Sequence, residues 1–397
     1  MRIAIVHDWL YIYGGAERVL RSIIKCFPQD DVDVFTLFDV LSSEDKERIG
    51  IKKPITTSFL QRMPKINKYH RLYLPLMPYA IEQFDFSGYD LVISSSYAVA
   101  KGIITGPDQL HISYIHSPMR YAWDLQHQYL RESNKDKGIK SVIARALLHK
   151  MRMWDVRTAH GPNSIVANSH YVARRIHKIY GRTSTVIHPP VDMGVHAAIS
   201  ESSIQTVLLN SPNKTYFFTA SRLVPYKNVA AIVAAFQHLP NEQLEVAGTG
   251  PELQKLKSMA GHNVRFLGFI TNETMNIKMA HAKAFIFGAE EDFGITPVEA
   301  QAQGTPVIAY GKGGVLETII TGSIKPTGCF FHSLEPQAIA AKIQDFLTYD
   351  MRYNSNDCYA NALRFSEERF IKQFTSHVSQ CLTDFNSSLT ANHAVSH

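Results

Sequence analysis

The sequence is poor in cysteine and has no long apolar run. Its four cysteines lie far apart and form no C-x-x-C pair, so neither a zinc cluster nor a disulfide framework is indicated. The nearest approach to a membrane span, Leu72–Ile81, is interrupted by two prolines and is shorter than the roughly 18 to 20 residues that cross a bilayer. Only four consecutive nonpolar residues, Ile3–Val6, precede the polar pair His7-Asp8, too few for a signal-peptide core. We therefore expect a cytoplasmic protein that does not cross a membrane.

Two familiar nucleotide-binding signatures are also missing. Neither Gly14-Gly15 nor Gly248-Thr249-Gly250-Pro251 fits the pattern G-x-G-x-x-G, and there is no Walker A loop. Dinucleotide chemistry of the nicotinamide type is therefore not indicated. Internal repeats and low-complexity segments are absent as well.

The length of the chain indicates its number of domains, and the distribution of charge indicates its partners. The 397 residues are 45% hydrophobic and 19% charged, with a mean hydropathy of −0.12, which suits two large folded domains. Residues 1–200 hold 26 Lys and Arg against 18 Asp and Glu, whereas the remainder holds 15 against 17. A basic half suits nucleic acid, an anionic membrane surface or a phosphorylated substrate. Because no RNA- or DNA-binding motif accompanies the charge, we do not expect nucleic acid.

Strand-like segments alternate with helical ones from end to end, which is typical of parallel α/β sheets with crossover helices. His188-Pro189-Pro190-Val191-Asp192 interrupts this pattern, since consecutive prolines continue neither element, and we place a hinge there. We predict an α/β fold with two Rossmann-like, doubly wound domains that face each other across a cleft. The predicted segments are a first domain over 1–190, a second over 191–366, a helix over 367–386 and a flexible tail over 387–397.

Unusual residues follow the predicted strands of the first domain. Gly14 and Gly15 open a helix, where backbone N–H groups and the helix dipole favour an anion, although a tight strand-to-helix turn explains them equally well. His116 follows a central strand and would point into the cleft, where it could bind sugar hydroxyls or act as a base. A purely structural histidine is the alternative interpretation.

In the second domain, two cations surround the turn that follows the strand Tyr216–Ala220. Arg222 lies on the loop and Lys227 at the start of the next helix, so two positive charges and helix N–H groups converge where a diphosphate could bind. Solvated surface charge is the alternative.

The segment Glu290–Ala300 carries the most specific pattern. Thr296 is predicted as N-cap, Pro297 as N1 and Glu299 as N3 of a capping box, which accounts for Glu299 without any ligand. Capping does not account for Glu291. The N–H groups from Gly294 onward suit a phosphate, and the two carboxylates suit the hydroxyls of a sugar and a ribose.

Taken together, these residues resemble the retaining GT-B glycosyltransferases of family 4. Glu291 and Glu299 match the E-x7-E motif of that family, and Arg222 with Lys227 match its phosphate-binding pair. Both glycine loops also fall where the family has them, and the similarity covers nearly the whole chain. Three segments further resemble a bacterial subgroup, the WbaZ-like mannosyltransferases: 7–10, 116–121 and 291–295.

The resemblance implies transfer of a sugar from a nucleotide diphosphate donor with retention at the anomeric carbon, without a bound metal or a cofactor. It implies that the first domain binds the acceptor, that the second binds the nucleotide sugar, and that helix 367–386 packs back on the first domain. Arg222 and Lys227 would stabilise the departing diphosphate, Glu299 would bind the ribose, Glu291 the donor sugar, and His116 the sugar from the acceptor side. With no carboxylate placed as a nucleophile, we expect front-face attack assisted by the leaving phosphate.

The expected site residues form two overlapping groups. The catalytic residues are His116, Arg222, Lys227 and Glu291. The residues expected to bind the nucleotide sugar are Gly14, Gly15, Arg222, Lys227, Gly248, Gly250, Glu291, Phe293, Gly294, Ile295, Thr296 and Glu299.

The likeness to the subgroup indicates GDP-mannose as donor and a lipid-linked saccharide as acceptor, in O-antigen or exopolysaccharide synthesis. Three alternatives stay open: a UDP-hexose donor, a GT-B nucleotide-sugar epimerase, and a non-enzymatic two-lobed sugar-binding protein. Basic and apolar residues between 60 and 157 lead us to expect peripheral, salt-sensitive contact with the inner face of the cytoplasmic membrane, without insertion. A helix over 144–157 would carry four large apolar residues on one side, which favours a core face: Leu147, Leu148, Met151 and Trp154.

Overall fold

The computed structural model describes residues 1–194, 214–349 and 352–395. The chain divides into two compact units: unit 1 combines Met1–His188 with Phe370–His397, and unit 2 is Pro189–Arg369. Residues 195–213 of the predicted second domain and residues 396–397 of the predicted tail lie outside the described residues.

Unit 1 is built on a parallel sheet in the order β3-β2-β1-β4-β5-β6-β7. Its strands are β1 (Arg2–His7), β2 (Asp31–Thr36), β3 (Thr56–Thr57), β4 (Leu91–Ser96), β5 (Leu110–Ile115), β6 (Ser164–Ala167) and β7 (Thr185–Val186). Its first helices are α1 (Gly15–Lys25), α2 (Ser43–Ile49), α3 (Ile66–Tyr69), α4 (Met77–Ile81), α5 (Gln126–Glu132), α6 (Gly138–Thr158) and α7 (His170–Tyr180). The two-residue strand β3 is too short to stand out as a pattern in the sequence.

Both faces of this sheet are buried, which explains why β1 is apolar from Ile3 to Val6. Along β1, Ile3 and Ile5 pack into the core on one face, and Ala4 and Val6 pack into the core on the other, all fully buried. Three of the four residues on the predicted core face of α6 pack into the same core as Ala4 and Val6: Leu148, Met151 and Trp154. Leu147, the fourth, does not.

Unit 2 contains a second parallel sheet, in the order β10-β9-β8-β11-β12-β13. Its strands are β8 (Tyr216–Ala220), β9 (Gln243–Ala247), β10 (Val264–Gly268), β11 (Ala282–Phe287), β12 (Val307–Tyr310) and β13 (Gly328–Phe331). The helices that follow are α8 (Val229–Ala235), α9 (Leu253–Met259), α10 (Asn272–Ala280), α11 (Ile295–Ala302), α12 (Val315–Thr318), α13 (Pro336–Thr348), α14 (Ser355–Ala362) and α15 (Glu367–Val395). In both units the strand order reverses direction beside the first strand, as in doubly wound folds.

Most of α15 belongs to unit 1, where it covers one face of the sheet. Phe370 and Phe374 are buried one helical turn apart, and both contact the buried ring of Tyr114 on β5. The helix continues to Val395, beyond the end that was predicted at residue 386. No Gly or Pro interrupts this segment, and its hydroxyl side chains bond within the helix, as from Ser387 to the carbonyl of Thr383 at 2.8 Å.

Within the described parts of the chain, we find no helix that combines the length and the apolar character needed to cross a membrane.

Candidate functional site

The predicted site residues of unit 2 follow three parallel strands, β8, β9 and β11, and therefore lie on the carboxyl edge of one sheet. Arg222 follows β8 and is exposed, and among the described residues it makes no ion pair. Lys227 ends the short 3₁₀ helix Pro225–Lys227 on the same connection. The sheet thus presents two cations on one loop.

Two glycines let the loop after β9 pack against the loop that carries Arg222. Gly248 has a φ of +121°, and a Cβ there would overlap the carbonyl oxygen of Ser221. A Cβ on Gly250 would overlap the carbonyl oxygen of Leu223, whose N–H donates to the carbonyl of Thr249 at 2.9 Å. Glycine is therefore required at both positions for the backbone on either side of Arg222 to adopt this conformation.

An ion pair joins Lys227 to Glu291, on the loop after β11. The side chains of Lys227 and Glu291 are 16% and 24% exposed, so the ion pair is only partly shielded from water. The side chain of Asn228 ties the same two loops together by donating to the carbonyl of Gly288 at 2.8 Å. In this structure the second cation of the loop is therefore held by a carboxylate.

The loop after β12 supports Glu291 from the other side. Gly314 N–H donates to the carbonyl of Glu291 at 2.8 Å, and Glu291 forms a parallel bridge with Gly313. Gly313 has a φ of +82°, and a Cβ there would overlap that same carbonyl oxygen. The Gly311–Gly314 segment is thus a supporting turn whose backbone fixes the position of Glu291.

Helix α11 begins two residues earlier than the capping pattern predicts. Its N-cap is Gly294, in the left-handed conformation with a φ of 88°, and the first helical residue is Ile295. The predicted N-cap role of Thr296 and the capping box with Glu299 are therefore wrong, because a glycine with positive φ turns the chain into the helix before Thr296 is reached. Glu299 instead lies inside the helix and is buried.

The remaining predicted residues of this segment differ in which of their groups could contact a ligand. Phe293 is buried against Phe365 in an apolar cluster, so its side chain is part of the core and only its backbone could face a ligand. Ile295 and Thr296 form the first turn of α11, where N–H groups and the helix dipole favour an anion.

In unit 1, Asp8 is an anchor for the backbone that follows β4. Its carboxylate accepts four N–H groups from consecutive residues, at 2.6 to 2.9 Å: Tyr97, Ala98, Val99 and Ala100. Burial raises the pKa of Asp8, and these bonds together with the neighbouring His7 oppose that rise. Asp8 thus fixes the turn beside His7 and Ser95.

The ends of β1, β4 and β5 place three polar side chains in contact. His7 Nδ1 lies 3.0 Å from Ser95 Oγ, and Ser95 Oγ lies 2.9 Å from His116 Nε2. His7 and Ser95 are fully buried, whereas His116 is partly exposed at the carboxyl edge. Burial and the neighbouring His7 lower the pKa of His116 to about 3, which keeps its ring neutral near pH 7.

Gly14 and Gly15 begin α1, on the same edge of the sheet. Gly14 is the N-cap, and its N–H donates to Glu17 Oε2 at 2.9 Å, an arrangement that satisfies a helix end without a ligand. The other carboxylate oxygen of Glu17 lies 3.6 Å from His7 Nε2. The first turn of α1 therefore adds a buried carboxylate to the His7, Ser95 and His116 contacts.

Sequence reasoning selected His116 as a candidate site residue but did not select Ser95 or Glu17. Ser94-Ser95-Ser96 ends a fully buried strand. Because buried hydroxyls form hydrogen bonds, this run could have indicated polar contacts at the end of β4. Glu17 gave no such signal, because an acidic residue in a first helical turn is ordinary.

Comparison with known proteins identifies the class. Residues 13–195 match the model for "Glycosyltransferase Family 4", and residues 201–363 match that for "Glycosyl transferases group 1". Anabaena Alr3699/HepE, solved in complex with UDP, superposes with a TM-score of 0.68 at 21% identity, covering 96% of this chain and 100% of that one. The fold is therefore GT-B, and the chain belongs to the family 4 glycosyltransferases.

Two curated relatives match shorter regions. A GDP-mannose-dependent monoacylated alpha-(1-6)-phosphatidylinositol monomannoside mannosyltransferase of Corynebacterium glutamicum is 31% identical over 171 residues, 38% of this chain and 45% of that protein. A D-inositol 3-phosphate glycosyltransferase of Mycolicibacterium gilvum is 26% identical over 206 residues, 49% of this chain and 44% of that protein. The matches thus span less than half the length of these relatives.

Proposed function

We propose that the protein transfers a hexose from a nucleoside diphosphate sugar, with retention at the anomeric carbon, to a lipid-linked saccharide. The observation that carries this proposal is the convergence of Arg222, Lys227 and the first turn of α11 on one sheet edge. Cations and helix N–H groups stabilise the charge that develops on a departing diphosphate. Glu291 then contacts the donor sugar, Glu299 the ribose, and His116 the sugar from unit 1.

The favoured donor is GDP-mannose, and a UDP-hexose is the alternative. Support for the first comes from the relative in C. glutamicum, a GDP-mannose-dependent enzyme, and from the likeness to bacterial mannosyltransferases. Support for the second comes from HepE, which was solved with UDP. The proposed reaction proceeds by front-face attack, in which the leaving phosphate assists the acceptor hydroxyl.

A donor panel tests this proposal directly. The protein is incubated with GDP- and UDP-sugars, and nucleotide release is followed with and without a lipid-linked acceptor. Arg222→Ala and Lys227→Ala should each lower kcat by roughly 10² to 10³, as when a donor to a developing negative charge is removed. The matched control is Arg265→Ala, which removes an exposed cation of the same unit. Unchanged kcat in both site variants would refute the assignment, and release that does not depend on acceptor would favour hydrolysis or epimerisation.

We also propose peripheral contact with a membrane, and exposed apolar residues on α6 support this proposal. Ile139, Val142 and Ile143 are exposed by 79%, 68% and 64%, and their spacing places them on one side of the helix. The opposite side carries Leu148 and Met151, which are buried in the core of unit 1. The helix therefore has a second apolar face that the fold of unit 1 leaves uncovered.

Basic residues surround this face, which favours an anionic lipid surface over an apolar protein partner. Exposed cations precede it and flank it on α6: Lys135, Lys137, Lys140, Arg145 and Lys150. Each contributes about 1 kcal/mol near an anionic surface, while the apolar side chains lie at headgroup level.

Vesicle sedimentation tests the membrane contact. The protein should pellet with vesicles that contain phosphatidylglycerol at low salt, and less at high salt or with phosphatidylcholine alone. A triple variant with Ile139, Val142 and Ile143 changed to Ser should stay in the supernatant, whereas the control Ile104→Ser, an isoleucine 60% exposed elsewhere in unit 1, should pellet normally. Binding by the triple variant, or a dimer of the wild type that the triple variant loses, would overturn the lipid assignment.

A further inference from the structure

Four side chains of unit 1 form a continuous line from a buried carboxylate to the carboxyl edge of the sheet. Glu17 Oε1 lies 3.6 Å from His7 Nε2, His7 Nδ1 lies 3.0 Å from Ser95 Oγ, and Ser95 Oγ lies 2.9 Å from His116 Nε2. Only His116, the last member, is partly exposed. The residues come from α1, β1, β4 and the position directly after β5, so the tertiary fold brings them together.

The chemistry of each member gives the line a direction. Glu17 as a carboxylate can only accept, and its Oε2 already accepts from Gly14 N–H at 2.9 Å. In the form of His7 that carries one ring proton, that proton lies on Nε2, because a lone pair there would face the negative charge of Glu17 Oε1; at 3.6 Å this contact is electrostatic and longer than a hydrogen bond. The Nδ1 of His7 is then an acceptor, so the Ser95 hydroxyl donates to it. The Ser95 oxygen in turn accepts from a proton on His116 Nε2.

We infer that Glu17, His7 and Ser95 are positioning residues that hold His116 as the Nε2–H tautomer, so that its Nδ1 accepts a hydrogen bond from a sugar hydroxyl. The role of the hydroxyl rests on the proposed function, whereas the tautomer is a property of unit 1 itself. The reverse tautomer would present an N–H to the ligand and would favour a different oxygen, such as an ether or a carboxylate.

The surroundings of His116 restrict other arrangements of the ring. Asn168 Nδ2 donates to the His116 carbonyl at 2.8 Å, which holds the backbone at the end of β5. The rings of Tyr114 and Tyr97 lie edge-on to the imidazole, with centroids 5.1 and 6.0 Å away. Burial, which lowers the pKa of His116 to about 3, keeps the ring neutral, so that one nitrogen is always an acceptor.

The test is the ¹⁵N NMR spectrum of histidine side chains in the full-length protein, where the two tautomers have distinct nitrogen shifts. Wild-type His116 should show a protonated Nε2. Glu17→Gln is the decisive variant, because its amide oxygen must replace the acceptor of Gly14 N–H, which turns the NH₂ group toward His7. His7 then accepts at Nε2, and the line reverses, so that both His7 and His116 change to the Nδ1–H tautomer.

Two serine variants separate positioning from packing. Ser95→Ala removes the link and should mix the tautomers of His116, and Ser95→Thr should restore the single tautomer. Ser94→Ala is the matched control, because Ser94 Oγ contacts His111 Nε2 at 2.9 Å on the same strand, and His116 should not respond. With a donor identified, Ser95→Ala should lower kcat about tenfold with an unchanged KM for the nucleotide sugar, the effect of losing one oriented hydrogen bond.

A wild-type His116 protonated at Nδ1 would overturn the inference, as would tautomers that stay unchanged in a folded Glu17→Gln variant. Because the spectra need no substrate, these outcomes stand apart from the glycosyltransferase proposal. A protein that shows the Nε2–H tautomer but transfers no sugar would refute the proposed function alone.

Discussion

The ion pair between Lys227 and Glu291 leads to an unusual expectation for nucleotide affinity. A diphosphate that recruits Lys227 must compete with the carboxylate that holds it in this structure. Glu291→Gln removes the competitor and keeps the shape of the side chain. Because both side chains retain some solvent exposure, the pair is worth about 1 kcal/mol, which corresponds to an affinity for GDP or UDP about fivefold tighter.

The same substitution should suppress transfer. If Glu291 binds hydroxyls of the donor sugar, loss of its charge weakens a hydrogen bond worth roughly 1.5 to 3 kcal/mol, so kcat/KM should fall by at most about 10- to 150-fold. Calorimetric titration with GDP and with UDP, together with turnover of the active donor, measures both effects on one protein. Asp345→Asn controls for net charge, since Asp345 is an exposed acid on α13 of the same unit. Tenfold weaker diphosphate binding in a Glu291→Gln protein of normal Tm would refute the reasoning.

Three further expectations concern metal, pH and backbone. Transfer should persist in EDTA, because Arg222, Lys227 and helix N–H groups meet the phosphate charge; activity that EDTA abolishes and Mg²⁺ or Mn²⁺ restores would contradict this. Burial lowers the pKa of His111 to about 3, so between pH 6.5 and 3 the unfolded chain binds a proton that the folded chain does not. Through this residue the free energy of unfolding decreases by about 1.4 kcal/mol for each unit by which the pH is lowered in that range. His111→Asn should flatten that part of a Tm-against-pH curve. Gly248→Ala should cost about 2 to 4 kcal/mol in urea unfolding, and Gly268→Ala, with a φ of +70° but open space, only about 1 kcal/mol; equal losses would remove the role assigned to the contact with Ser221.

The sequence was sufficient for the class of fold because its signals are local. Apolar strands such as Ile3–Val6 alternate with amphipathic helices, and the proline pair at 189–190 lies at the observed boundary between the two units. Arg222, Lys227 and Glu291 could be selected because each follows a strand, and parallel strands bring their ends to one edge.

What sequence reasoning could not supply depends on contacts between distant segments. The N-cap of α11 was misplaced because Thr296-Pro297 is a good start signal, whereas the helix begins after Gly294, whose φ is positive. The pairing of Ser95 with two histidines needs β1, β4 and β5 to be neighbours, an order that no single segment encodes. Likewise, the second apolar face of α6 becomes evident only when the buried face is known.

The closure of unit 1 by α15 has a consequence for the order in which the protein forms during synthesis. Phe370 and Phe374 complete the core beside β1, yet they leave the ribosome only after the whole of unit 2 has been made. Unit 2 can therefore reach its native state first, while the amino-terminal sheet waits with the apolar surface around Ile3 and Ile5 uncovered. During that interval the nascent chain is open to chaperones and to aggregation, and nonsense mutations shortly before residue 370 should yield proteins with an intact unit 2 and an unfinished unit 1.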